Sequence, residues 1–147
     1  MDSPPINVLL ADDDSDDCLL FKEALEELPL TTNLAIVHDG VELMQYLTSK
    51  QDMLPDILFL DLNMPRKNGF ECLSEIKQHK KLQALRVIIF STSFNPAIAD
   101  QLQKQGAQHY IRKPAEFSNL RKLILQSLTL LKDKNAQMEA KNFILSV

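Results

Sequence analysis

Two stretches decide the fold: Ile6-Asn-Val-Leu-Leu-Ala-Asp-Asp-Asp-Ser-Asp-Asp17 and Asp56-Ile-Leu-Phe-Leu-Asp-Leu-Asn-Met-Pro65. In each, an apolar run of strand length stops at acid. Short unbroken apolar runs read as strands buried on both faces, as in a parallel sheet covered by helices. Ligand sites in such sheets form outside the carboxyl ends of the strands. Asp12, Asp13 and Asp61 are therefore expected in one pocket. Two like charges about 4 Å apart repel by roughly 4 kcal/mol at an effective dielectric near 20. A cluster of this kind raises its pKa values or takes a cation, and an all-oxygen donor set suits Mg²⁺ completed by water. Helix capping is the competing explanation. It has even standing for Asp14, Asp16 and Asp17, which fall where a helix begins with Asp14 or Ser15 as its cap. It does not account for Asp12, Asp13 and Asp61 together, because one helix start requires one side-chain acceptor.

The chain has 147 residues, of which 45% are apolar, so a single globular domain with a real core is expected. A net charge of −4 argues against a sequence-independent nucleic-acid binder, which needs a basic face. No apolar run is long enough for a membrane span, and Met1-Asp-Ser-Pro-Pro5 lacks the features of a signal peptide, so the cytoplasm is the expected compartment. Cys18 and Cys72 show no metal-binding spacing and read as reduced thiols in or near the core.

Strand and helix patterns alternate along the chain, which indicates βα units around a parallel sheet. Strands are expected at about Ile6–Ala11, Leu34–His38, Ile57–Leu60, Arg86–Phe90 and His109–Ile111. Between them fall a helix ending near Leu28 before Pro29, a short helix capped by Asp39, a helix from about Phe70 to His79, and one capped by Asn95 with Pro96 at its first position. Gly106 is placed to end that helix in a left-handed conformation. The last helix runs from about Phe117 to Lys132, with Leu125 and Leu130 lying off its apolar stripe as a candidate partner face. Residues 6–132 thus form one domain, and 133–147 form an extension that is not expected to be an output domain. That extension, apolar at Phe143-Ile-Leu-Ser-Val147, has three open fates: extending the last helix, packing back on the sheet, or covering a partner.

Acids after the first strand, an aspartate ending the third, a hydroxyl ending the fourth and a lysine before proline ending the fifth stand in one order. In that order, over about Asn7–Lys132, the chain resembles the receiver domain of two-component response regulators. The resemblance implies a flavodoxin-like (βα)5 fold with sheet order 2-1-3-4-5. It implies Asp61 as phosphoacceptor. It implies Mg²⁺ held by Asp12, Asp13, Asp61 and the backbone carbonyl of Asn63, and Lys113 as the contact to the phosphoryl oxygens, aimed by a cis bond to Pro114. Ser91 matches the switch hydroxyl and Tyr110 the switch aromatic, while Asn63 and Ser93 take the positions that tune dephosphorylation. Taken alone, Ser91 would be a turn hydroxyl, Lys113 a surface lysine and Tyr110 a half-buried edge-strand ring. His38, His79 and His109 have no ligand spacing, and Arg66 with Lys67 reads as a solvated loop.

The resemblance further implies a sensor histidine kinase or phosphotransfer protein as donor and a downstream protein partner. Leu60–Gly69 and Phe90–Ser93 are similar to single-domain regulators associated with bacterial phytochromes, which implies a homodimer face on the fourth helix, fifth strand and fifth helix. A signalling switch is expected, not a turnover enzyme. A phosphorylation-independent scaffold is one rival. A phosphohydrolase is another, but Asn63 stands where such an enzyme needs a second acid. A nucleotide-binding fold is disfavoured because the first strand ends in acids rather than a Gly-rich loop.

Overall fold

Both apolar runs form strands at the centre of a five-stranded parallel sheet. The computed structural model describes residues 4–49, 53–132 and 142–147. The strands are β1 (Ile6–Ala11), β2 (Thr32–Val37), β3 (Ile57–Leu60), β4 (Arg86–Ser91) and β5 (His109–Arg112). They alternate with α1 (Ser15–Glu26), α2 (Gly40–Ser49), α3 (Gly69–Gln78), α4 (Pro96–Lys104) and α5 (Phe117–Lys132). The sheet order is β2-β1-β3-β4-β5, as expected for the flavodoxin-like arrangement.

Strand alternation divides the core in two. Leu9, Ala11, Leu58, Leu60, Val87 and Ile89 face α2, α3 and α4. Val8, Leu10, Ile57, Phe59, Ile88 and Phe90 face α1 and α5. All of these are buried, which is why the strands read as unbroken apolar runs. On the second face Phe21 of α1 meets Phe59 and Phe90 edge-on at 5.0 and 5.6 Å between ring centroids. Leu125 and Leu130 of α5 are half-buried.

Helix starts follow the polar residues that precede them. Asp14 accepts from the Asp17 N–H at 3.0 Å, so it caps α1, and Asp39 accepts from the Glu42 N–H at 2.8 Å at the start of α2. Asn95 caps α4 ahead of Pro96, and Gly106 follows that helix with φ of 107°. Asn68 and Glu71 form a reciprocal capping box at the start of α3. Asn68→Ala is expected to cost about 1 kcal/mol, seen as a lowered urea midpoint at unchanged slope. An unchanged midpoint would show that the box contributes nothing.

Some boundaries shift. β2 begins at Thr32 because Ile6 pairs with Thr32 and Asn7 with Asn33, extending the edge strand beyond its apolar part. α1 closes at Glu26 with tighter bonds from the Glu27 and Leu28 N–H groups to the carbonyls of Ala24 and Leu25. Pro29 then disfavours helix for Leu28. Of the open fates of the extension, its last residues take the second. Tyr110 and Ile144 form a parallel bridge, so Phe143–Leu145 lies against the free edge of β5 at Tyr110. Residues 133–141, the rest of the extension, lie outside the described residues. No described helix is long and apolar enough to cross a membrane.

Candidate functional site

Register brings the acids together. Ala11 is paired with Leu60 across β1 and β3, so the next residues, Asp12 and Asp61, leave the sheet side by side. Chain order reverses at this pair of strands, which opens a crevice at their carboxyl ends. The ladder continues one step further: the Asp12 N–H donates to the Val37 carbonyl and the Asp61 N–H to the Ala11 carbonyl, both at 3.0 Å. Asp12 and Asp61 are buried and Asp13 is exposed at the rim. One carboxylate oxygen from each of Asp12, Asp13 and Asp61 lies within 4.8 Å of the others.

The cation of the site comes from the far strand. Ser91 pairs with Arg112 across β4 and β5, and the Lys113 N–H donates to the Ser91 carbonyl at 2.8 Å. Lys113 thereby points back over the crevice. Its Nζ lies 2.7 Å from Asp12 Oδ2, 2.8 Å from Asp17 Oδ2 and 3.3 Å from Asp61 Oδ2. The ammonium also sits 5.3 Å from the centroid of the Phe90 ring. The cis Lys113–Pro114 bond implied by the resemblance is not found. The bond is trans, the form that an X–Pro amide favours by about 0.5–1 kcal/mol, and the flexible lysine side chain spans the crevice from it.

Burial pushes the Asp12 carboxyl up to about 6, against the opposing pull of Lys113 and of the Asp14 N–H that donates to its Oδ1 at 2.9 Å. Burial works to lower the Lys113 ammonium, but its hydrogen bonds to Asp12 and Asp17 outweigh that and hold its pKa above the usual lysine value. Three carboxylates, those of Asp12, Asp17 and Asp61, thus share one ammonium, and Asp13 adds a fourth negative charge at the rim of the same cluster. The surplus negative charge and all-oxygen donor set fit a hard divalent cation. Asn63 lies on the loop leaving Asp61, and its N–H donates to Asp61 Oδ1 at 3.3 Å.

A cation at this site competes with the Asp12 proton. With that carboxyl at about 6, it is ionised above this pH and protonated below it. Mg²⁺ affinity is therefore expected to fall about tenfold between pH 7.5 and pH 5, measured by calorimetric titration. An affinity flat over that range would remove Asp12 from the donor set.

Ser91 ends β4 beside Lys113, and Tyr110 lies on the neighbouring β5. Ser91 is buried, and its Oγ lies 3.3 Å from Ser93 Oγ and 3.4 Å from the Ser93 nitrogen. Tyr110 donates its hydroxyl to the Ser93 carbonyl, and its ring meets Phe94 edge-on at 5.5 Å. Tyr110 is only 1% exposed, not half-buried, because the terminal segment covers the edge on which it lies.

Sequence reasoning missed Asp17 as a partner of Lys113. Its signal was there, since a first-turn helix residue four positions after Asp13 can face the same crevice. It also missed Phe94 and the bridge from the terminal segment that covers Tyr110. Arg66, with φ of 68°, pairs with Asp39, and Lys67 pairs with Glu75, so both belong to loop structure. His38 lies 3.2 Å through Nδ1 from the Asp12 carbonyl, and His109 3.1 Å from the Phe143 carbonyl. No histidine belongs to the acid cluster found among the described residues.

A family model described as response regulator receiver domain matches residues 8–125. Response regulator Rcp1 of Synechocystis sp. is 30% identical over 83% of this chain and 86% of its own length. The crystal structure of the phosphorylated cyanobacterial phytochrome response regulator RcpA superposes with a TM-score of 0.81 at 30% identity, covering 89% of this chain and 96% of that one. The Mn²⁺-bound form of Rcp1 superposes with a TM-score of 0.75 at 29% identity, covering 86% and 93%.

Proposed function

The chain belongs to the response regulator receiver family of two-component signalling, and from that premise we propose that Asp61 is its phosphoacceptor. The observation that carries this reading is the convergence of Asp12, Asp13, Asp61 and the Lys113 ammonium in one crevice. A sensor histidine kinase or phosphotransfer protein presents a phosphohistidine at the crevice mouth. An Asp61 oxygen attacks phosphorus in line as the imidazole nitrogen leaves, forming an acyl phosphate. Asp12, Asp13, Asp61 and the Asn63 carbonyl would hold Mg²⁺, which would supply positive charge against the phosphoryl oxygens. The metal-bound relative Rcp1 supports a divalent cation in this fold.

Lys113 gives the incoming oxygens a charge that can follow them, because its ammonium already lies 3.3 Å from Asp61. Ser91 donates its hydroxyl to the acyl phosphate, and its loop draws on the Tyr110 hydroxyl through the Ser93 carbonyl. The phosphoryl group thereby biases a two-state element and reshapes the α4–β5 surface read by a downstream protein. Association of two copies through the α4–β5–α5 face, on which the terminal segment already lies against Tyr110, belongs to the same reading, as do a cytoplasmic setting, the absence of a nucleic-acid partner and the bacteriophytochrome-associated subgroup.

The protein acts as a switch that catalyses its own phosphorylation and hydrolysis, not as a turnover enzyme. Incubation with acetyl phosphate and Mg²⁺ is expected to add one phosphoryl group, read by intact mass, and a chelator is expected to prevent it. Sustained release of inorganic phosphate from many small esters would favour a phosphohydrolase instead.

A further inference from the structure

We propose that the segment Asn142–Val147 is a strap that docks more firmly on β5 while Tyr110 is turned inward, so that strap docking and phosphoryl occupancy of Asp61 strengthen each other. The proposal rests on the reading above, in which Ser91 and Tyr110 report the state of Asp61.

Tyr110 touches both partners at once. Its backbone holds the strap: the Tyr110 N–H donates to the Phe143 carbonyl at 3.0 Å, and the Leu145 N–H donates to the Tyr110 carbonyl at 2.9 Å. Its hydroxyl holds the switch loop through the Ser93 carbonyl. Its ring lies between Phe94 of that loop, at 5.5 Å, and Phe143 of the strap, at 6.5 Å, both edge-on. A free strand edge presents unpaired amides and carbonyls, and the strap satisfies those of Tyr110. Leu145 is buried against the α1–α5 side of the core, while Phe143 packs on the opposite side. His109 adds a contact at 3.1 Å to the same Phe143 carbonyl, which requires the proton on Nδ1.

Turning the ring outward breaks its edge-on contact with Phe143. The docked strap therefore makes contacts in one state of Tyr110 that it lacks in the other, and such a difference couples two sites reciprocally. A phosphoryl group that draws Ser91 and its loop inward favours the ring position that the strap needs. The docked strap also forms one wall of a groove of about 380 Å³, facing Phe94, Pro96, Ala99 and Gln103 of the α4 side. The state of Asp61 thus sets whether that wall is present on the surface.

The test uses the full chain, with beryllofluoride and Mg²⁺ as the probe. Phe143→Ala removes the ring contact and Leu145→Pro removes the amide that donates to Tyr110. Each is expected to weaken beryllofluoride binding about fivefold or more. In the wild type, exchange of the Tyr110 and Leu145 amides is expected to slow by the same factor on saturation. Amides of β1 that keep their protection show that each variant is folded. Wild-type affinity in both variants, or unaltered exchange at Tyr110 and Leu145, would overturn the strap while leaving the phosphoacceptor reading intact. A wild type that binds no beryllofluoride would overturn that reading and the strap with it. Protection that rises with protein concentration would place the strap on a second copy and overturn docking within one chain.

Discussion

Asp61→Asn loses the phosphoryl adduct, with accumulation from acetyl phosphate expected to fall by at least about 100-fold. The argument is chemical. A carboxylate oxygen carries the electron pair that attacks phosphorus, and a neutral amide oxygen of the same shape does not. The substitution spares the surroundings: the amide oxygen can still accept from the Asn63 N–H, and the Asp61 backbone stays paired with Ala11. It also removes one of the carboxylates crowded around Lys113, so it relieves repulsion. The fold is thus expected to keep its stability, and urea unfolding beside intact mass separates lost chemistry from lost structure. A variant that accumulates adduct at the wild-type rate would move the acceptor to another residue.

Gly69→Ala is expected to have a large structural effect at the site itself. Gly69 opens α3 and closes the loop that leaves Asp61, donating its N–H to the Leu62 carbonyl at 2.9 Å. A Cβ added there would stand 2.3 Å from the Asp61 carbonyl oxygen and 2.8 Å from the Leu62 Cα. Both are backbone atoms at the strand end that carries Asp61, so no side chain can swing aside. Overpacking costs about 1–3 kcal/mol where neighbours can yield. Here the main chain itself has to move, and about 3 kcal/mol or more is expected. Because the displaced atoms belong to Asp61 and its neighbour, phosphorylation is expected to slow in whatever fraction still folds. An unchanged urea midpoint with normal phosphorylation would show that the loop has slack that the packing does not reveal.

The central strands were legible because burial on both faces leaves its mark residue by residue. Ile6–Ala11 and Ile57–Leu60 are apolar throughout apart from Asn7, and each stops at the acid that begins the site. The pocket of Asp12, Asp13 and Asp61 followed from that pattern and from the rule that sites lie at strand carboxyl ends. What escaped depends on pairing between distant segments. Thr32 and Asn33 carry no apolar signal, and only their register with Ile6 and Asn7 makes them strand. Asp17 looked like a favourable charge at a helix start, and only the reach of Lys113 across the crevice gives it a partner. Phe143-Ile-Leu was visible as an apolar end, but nothing local says that it lies against Tyr110, more than 30 residues earlier. The resemblance implied the roles of Lys113, Ser91 and Tyr110, whereas the structure supplies two links it did not: the Lys113 N–H donates to the Ser91 carbonyl, and the Tyr110 hydroxyl donates to the Ser93 carbonyl.

The measurement that bears most directly on the phosphoacceptor is its location. An aspartyl phosphate is reduced by borohydride to homoserine, which marks the residue in a peptide map. After acetyl phosphate and Mg²⁺, the expected result is homoserine at position 61 and at none of Asp12, Asp13, Asp14, Asp16 or Asp17. Homoserine at one of those acids, or an adduct stable to borohydride on a serine or histidine, would contradict the assignment of Asp61.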